Sequence, residues 1–200
     1  MNILITGAKG FIGKNLTVAL KQHETYQIFE YGHDTSAELL EEYCKNADFV
    51  FHLAGINRPQ HEKEFMDGNF GTMSVLLDTL KKHKNNCPIM FASSIQAAVD
   101  NPYGKSKKAA ENLLFTYSKT TGTPVYIYRF PNVFGKWCRA NYNSVVVTFC
   151  YNIAHDIPIQ INNKQTILNL VYIDDILDEM FLALEKNPHK TQDGYCFVPA

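Results

Sequence analysis

No apolar run in these 200 residues approaches the roughly 20 consecutive positions that a membrane helix needs, so a bilayer-spanning helix is not expected. Arginine is scarce, with Arg58, Arg129 and Arg139 the whole supply, and 19 basic against 20 acidic residues leave a formal net charge of -1. That balance excludes a broad basic face for nucleic acid or for an anionic membrane surface. The five cysteines, Cys44, Cys87, Cys138, Cys150 and Cys196, include no CxxC pair. A zinc ribbon and thioredoxin-like chemistry are thereby disfavoured, and free thiols in a reducing compartment are expected. His23, His33, His52, His61, His83, His155 and His189 are scattered without metal-ligand spacing, so no metal is expected. Repeats, low-complexity tracts and linkers are missing too, which leaves one main domain. The opening MNILITGAKG leads straight into a strand with no basic and apolar leader, and the expectation is a soluble, cytoplasmic protein.

What is present is an alternation. With 46% hydrophobic content the chain can bury a sizeable core. Short apolar strands at 2–6, 26–30, 48–54, 88–92 and 124–130 are separated by helical patterns at 11–23, 37–45, 71–84 and 103–121. This predicts an α/β fold with a doubly wound parallel sheet of Rossmann type over residues 1–135. After Gly135 the rhythm breaks into a helix near 143–155, a strand near 166–170 and a helix over 174–185. Residues 136–200 read as part of a small substrate lobe, and the strand-like end GYCFVPA, with no closing helix, leaves open whether that lobe is complete.

Gly7, Gly10 and Gly13 stand in GxxGxxG spacing directly after the first strand, where backbone must approach a pyrophosphate and helix amides can bind it. Chance supplies that spacing roughly 0.03 times in such a chain, so a dinucleotide site is the favoured reading. Glu30, ending the second strand 20 residues after Gly10, is placed to accept ribose hydroxyls, which favours NAD. Lys9 and His33 could instead face a 2'-phosphate, and composition does not decide between the coenzymes.

Tyr103 and Lys107 are four residues apart at the start of a predicted helix, so both project from one face. The spacing alone is expected roughly 0.9 times by chance and carries little weight. Its context carries more, because FASS at 91–94 ends the fourth strand just before it. There Ser94, preferred to Ser93, can bond the same substrate oxygen that Tyr103 protonates, with the Lys107 ammonium expected to lower the phenol's pKa.

The segments TGAKGFIG, FHLAG, SSIQ, YGKSK, YRFPNVFG and NLVYIDD resemble the successive motifs of the extended short-chain dehydrogenase/reductase family, across essentially the whole chain. GINRPQHEKEF, SSIQAAVDNPYGKSK and FPNVFGKWCRANYNSVVVTFCYNIA are further similar to bacterial capsular-polysaccharide reductases on the route to UDP-N-acetyl-L-fucosamine. The resemblance implies NADPH-dependent reduction of the 4-keto group of a UDP-2-acetamido-2,6-dideoxy-L-hexos-4-ulose, with NADH possible. It implies Ser94, Tyr103 and Lys107 as the triad, and Phe11, Ile12, Leu53, Ala54, Gly55 and Asn69 as cofactor-side positions beside the three glycines. A homodimer through the Tyr103 helix and the helix before it, and a downstream zinc cupin domain that epimerises the sugar first, are also implied. Only nine residues separate Ser94 from Tyr103, shorter than is usual in the wider family and in agreement with the capsular subgroup.

On the substrate side, Arg58 and Arg139 follow strands at the presumed ligand edge and suit forked bonds to a diphosphate, and the resemblance adds Asn132. Trp137 and Tyr142 could flank a uracil or sugar ring, with packing as the ordinary alternative. Arg129 reads as a structural donor, His52 as a packed histidine, and Asp174 with Asp175 as helix-capping acids. An epimerase or dehydratase of the same fold is the enzymatic alternative; of the acids a dehydratase would need, the Ser94 to Tyr103 stretch offers only Asp100. A non-catalytic cofactor-binding protein is the other alternative.

Overall fold

In the computed structural model, which describes residues 1–199, the chain alternates strands and helices. Strand β1 (Asn2–Thr6) is followed by α1 (Phe11–Leu20), β2 (Gln27–Tyr31), α2 (Ala37–Asn46) and β3 (Phe49–His52). Next come a short helix α3 (Lys63–Phe65), a wide π-helical turn (Met66–Gly71) and α4 (Thr72–Lys82). Strand β4 (Ile89–Ser94), a 3-10 turn (Ile95–Ala98), α5 (Pro102–Thr121) and β5 (Val125–Phe130) complete the main unit. Beyond it lie β6 (Asn132–Phe134), α6 (Val145–Ala154), β7 (Leu170–Tyr172) and α7 (Ile173–Leu184).

Five strands form one parallel sheet in the order β2-β1-β3-β4-β5. The order reverses between β1 and β3, and the crevice outside their carboxyl ends is where such sheets bind ligands. The period of two places alternate residues on opposite faces. Ile3, Ile5, Phe49, Phe51 and Met90 join Leu16 and Leu20 of α1 and Ile176 and Met180 of α7. On the other face Leu4, Val50, Ile89 and Phe91 join Leu40 of α2, Leu76 and Leu80 of α4, and Leu114 of α5. Both faces are covered, as near-continuous apolar strands require, and each fully buried side chain of this kind contributes about 1.5–3 kcal/mol.

Three expectations change. The helix placed at 71–84 starts earlier, at Lys63, and runs through the π turn before α4. Inside that turn Thr72 Oγ1 bonds the Gly68 carbonyl, and a Cβ on Gly68 would stand 2.5 Å from Ile56, so glycine lets the helix press on the loop after β3. The strand expected at 166–170 forms only at Leu170–Tyr172, pairing in parallel with β6. Before it, Asn163 folds the backbone into a turn by accepting from the amides of Gln165 and Thr166, and Ile167 is 89% exposed. Helix α7, beyond the expected boundary at residue 135, packs on α1 and contributes to the main core. Of GYCFVPA, Cys196 bridges Tyr128 beside β5 and also Lys190, while Ala200 lies outside the described residues.

Candidate active site

The glycine turn follows β1 directly. Gly7 has φ +73°, and a Cβ there would lie 2.7 Å from the Ala54 amide nitrogen after β3. A Cβ on Gly13 would lie 2.3 Å from the Gly7 carbonyl oxygen, so these two glycines close the turn onto itself and onto the neighbouring strand. A Cβ on Gly10 would meet only the Gly7 carbonyl, at 3.1 Å, which leaves its outer side open for a ligand. No side chain caps α1 and no acid stands in its first turn, so its amides and positive dipole end face outward. The donor set fits a pyrophosphate.

A cavity of about 650 Å³ opens from this turn across the carboxyl ends of β1, β3, β4 and β5. Gly7, Lys9, Gly10, Phe11, Ile12, Gly13, Leu53, Gly55, Asn69, Ser94, Tyr103, Lys107, Asn132 and Arg139 all line it. Ala54 lies behind the wall, its amide donating to Thr6 Oγ1 at 3.3 Å. Asn69 is buried in the π turn, a distortion common at functional sites. Its side chain donates to the Ile56 carbonyl at 2.9 Å and to Ser106 at 3.0 Å, and Ser106 donates to the Tyr103 carbonyl. A loop beside the cavity and the Tyr103 helix are thus stapled together.

Helix α5 begins just before Tyr103 because Pro102 suits the first helical position and Asn101 caps it, accepting from the Gly104 amide at 2.7 Å. A Cβ on Gly104 would lie 2.2 Å from the Gln96 carbonyl, so the glycine of YGKSK lets the helix start press on the 3-10 turn after Ser94. This close packing brings Tyr103 over Ser94 despite the nine-residue connection. Ser94 neighbours the phenol, and its hydroxyl accepts from the Gln96 amide at 3.2 Å, whereas Ser93 is committed to Glu111 at 2.6 Å.

The electrostatics differ from the sequence expectation in sign. Burial pushes the Tyr103 phenol up, the neighbouring Ser94 hydroxyl only partly offsetting it. Lys107 does not bond the phenol; its ammonium donates to the Ala92 carbonyl at 2.9 Å and sits 4.9 Å from the Phe91 ring centre. Burial pushes Lys107 down to about 8, with Glu111 pulling the other way. His52, buried as expected, shares a 2.8 Å bond with Thr6, and its Nε2 has no partner. Burial, reinforced by the Lys107 charge, pushes its imidazole down to about 3.

Besides Ala54, two further cofactor-side expectations and one substrate-side expectation are not brought to the cavity wall. Glu30 is not the last residue of β2, and its carboxylate pairs with Lys21 at the end of α1, 2.7 Å away. His33 is exposed in the following loop. Arg58 is held by Asn143 Oδ1 at 3.0 Å and the Asn141 carbonyl at 3.4 Å, over the Tyr142 ring, so its guanidinium braces a loop. Tyr142 and Trp137, for which packing was the ordinary reading, are 41% and 45% exposed on the cavity, Trp137 with φ +66°. Asn57, Gln96 and Asn143 line the wall without having been expected; their only signal is polarity close to the Arg58, Ser94 and Tyr142 positions. Arg129 is the structural donor expected, forked onto Glu111, and Asp174 with Asp175 stand in the first turn of α7. Among the described residues no helix is long and apolar enough to cross a membrane, and no three His, Cys, Asp or Glu side chains gather as for a metal ion.

Residues 3–194 match the model of the NAD dependent epimerase/dehydratase family. The chain is 48% identical over 177 residues to a UDP-2-acetamido-2,6-beta-L-arabino-hexul-4-ose reductase of Pseudomonas aeruginosa, covering 88% of this chain and 48% of that protein. Among solved structures it resembles the capsular polysaccharide assembling protein CapF of Staphylococcus aureus, with TM-score 0.88 and 46% identity over 100% of this chain and 53% of CapF. A UDP-glucuronic acid 4-epimerase of Bacillus cereus, at 22% identity and TM-score 0.83 over 99% of this chain and 78% of its own, shares the fold. The chain therefore spans about half the length of the reductase and of CapF.

Proposed function

We propose that this chain, which belongs to the NAD dependent epimerase/dehydratase family, is the reductase part of an enzyme that converts a UDP-2-acetamido-2,6-dideoxy-L-hexos-4-ulose to its 6-deoxy-talosamine product. The observation that carries the reading is the meeting of Tyr103, Ser94 and Lys107 on the wall of the cavity that also opens onto the glycine turn. The 48% identity to a reductase named for a UDP-4-keto-sugar supports the substrate class, and the likeness to CapF supports a place in capsule or surface polysaccharide synthesis.

Gly7, Gly10 and Gly13 with the α1 amides would hold the pyrophosphate, and Leu53, Gly55, Asn69 and Lys107, which line the same cavity, would border the rest of the coenzyme. A bound nicotinamide dinucleotide would supply hydride for the carbonyl carbon. Tyr103 donates the proton that the carbonyl oxygen takes up, and burial favours this by keeping the phenol protonated at neutral pH. Ser94, beside the phenol on the same wall, orients the same oxygen. Lys107, charged below about pH 8, offsets the phenolate that the transfer leaves behind. NADPH is favoured over NADH because Glu30, the acid expected to accept ribose hydroxyls, is tied to Lys21 away from the cavity, while Lys9, paired with Asp34, lines it.

Arg139 and Asn132 lie on the cavity wall as substrate-side groups, with Tyr142 and Asn143 presented by the Arg58 brace. Dehydration is disfavoured: Asp100 points to solvent, 85% exposed, and pairs with Lys105. The same reading makes the protein cytoplasmic and dimeric through α4 and α5, with Val75 of α4 55% exposed as a contact position. A cupin epimerase domain acting before the reduction accords with relatives about twice this length.

The test is to follow reduced-nicotinamide absorbance with UDP-4-keto-sugars and each coenzyme. Sugar-dependent consumption, faster with NADPH than with NADH, is expected. Binding of coenzyme with no consumption on any such sugar would leave the reading untenable.

A further inference from the structure

Three side chains on one stripe of α5 meet three consecutive residues at the end of β4, and the triad accounts for only two of these meetings. Tyr103 stands beside Ser94 on the cavity wall, Lys107 donates to the Ala92 carbonyl at 2.9 Å, and Glu111 accepts from the Ser93 hydroxyl at 2.6 Å. The four-residue spacing is what stacks them on a single face of the helix.

Glu111 has no solvent exposure. Burial alone would push its carboxyl up, yet Arg129, Ser93 and Tyr195 together hold it below the usual carboxylate range. Arg129 of β5 forks onto it at 2.9 and 2.6 Å, and the Tyr195 hydroxyl donates at 3.0 Å. Arg129 also donates to the Tyr195 hydroxyl at 2.8 Å and lies 4.1 Å from that ring's centre. A buried ion pair often stabilises a fold no more than apolar residues of the same volume would. Its geometric effect is more specific, since it joins β4, α5, β5 and the segment after α7 at one point beside the triad.

We infer that Glu111, clamped by Arg129 and Tyr195, is a positioning residue that fixes the Ser93–Ser94 end of β4 against α5 and so sets the Ser94 hydroxyl against the Tyr103 phenol. Glu111 touches neither substrate nor coenzyme, and its effect passes through Ser93. The inference rests on the reductase reading for the step it serves. It predicts a loss in kcat with ground-state binding retained, because a shift of about 1 Å in a reacting group can cost up to about 100-fold in rate.

The decisive comparison is Ser93→Ala, Ser93→Thr and Glu111→Gln against the wild type, measuring kcat and KM for the UDP-4-keto-sugar, NADPH affinity by fluorescence, and thermal midpoint. Ser93→Ala is expected to lower kcat at least about 10-fold with KM and NADPH affinity within about 2-fold, and Ser93→Thr, which keeps the hydroxyl, to restore most of it. Glu111→Gln is expected to follow Ser93→Ala in kcat; should it unfold, the two serine variants decide. An unchanged kcat in Ser93→Ala, or a loss that Thr does not recover, overturns the inference. A wild type that binds NADPH but reduces no such sugar defeats the proposed function instead, and the positioning role is then decided by a crystal structure of Ser93→Ala. There a displaced Ser94 or Tyr103 hydroxyl upholds it, and an unmoved pair overturns it.

Discussion

The two walls of the cavity are built differently. The wall made by β1, β3, β4 and α5 is buried and cross-bonded: Lys107, His52, Asn69 and Glu111 are all nearly inaccessible, and each has a defined partner. The facing wall, from residue 137 to 143, is exposed, carries left-handed residues at Trp137 and Asn141, and is braced from outside by Arg58. Helix α6 behind it has no fully buried residue. On the proposed function, proton transfer falls to the buried, cross-bonded wall and recognition of the nucleotide sugar to the exposed one, as with loops carried on a rigid scaffold.

Exchanging single groups on the two walls should expose this difference. The largest effect is expected on the buried wall: Tyr103→Phe removes the proton donor and little binding surface, so kcat is expected to fall about 10²- to 10⁴-fold while NADPH affinity, read by fluorescence titration, stays within a few-fold. Undiminished turnover in that variant would remove the phenol from the mechanism.

Acid is the second probe of the same wall. Burial, with Lys107 nearby, depresses His52 from 6.5 to about 3, so the unfolded chain binds a proton in this range that the folded chain does not. Its contribution to stability is therefore present above pH 6.5 and lost as pH falls toward 3. The slope is about 1.4 kcal/mol per pH unit. Urea unfolding between pH 7 and 4 is expected to show it, and His52→Asn, which can still bond Thr6, to flatten it by about one proton; identical slopes would clear His52 of that role.

The smallest effect belongs to the exposed wall. Arg58→Ala releases two exposed hydrogen bonds and the contact with Tyr142, each worth about 0.5–1.5 kcal/mol at most. KM for the sugar nucleotide is expected to rise about 3- to 10-fold with kcat nearly unchanged. A kcat loss as large as that of Tyr103→Phe would mean that the two walls do not divide the work as assigned.

Much of the buried wall was legible from local sequence. Three glycines at a strand-to-helix turn fix where backbone must approach closely, and a period of two in short strands fixes which residues are covered on each face. Legibility ends where partners are distant along the chain. Arg58 is held by residues 83 and 85 positions away, Glu111 reaches Tyr195 across 84, and neither pairing leaves a local pattern. Glu30 shows the same limit from the other side: its strand and approximate place were readable, but Lys21, coming off the end of α1, takes its carboxylate.

From the sequence alone came the parallel α/β order, the close glycine turn after β1, and the pair Tyr103 and Lys107 on one helical face, because each depends on neighbours within a few residues. Tertiary structure alone decided the direction in which burial pushes each member of that pair, and the nearness of Ser94 to the phenol, through a glycine that lets α5 press on the preceding turn. Desolvation and close packing are properties of the surroundings that the folded chain assembles from distant segments, and so they cannot be read from the residues taken in order.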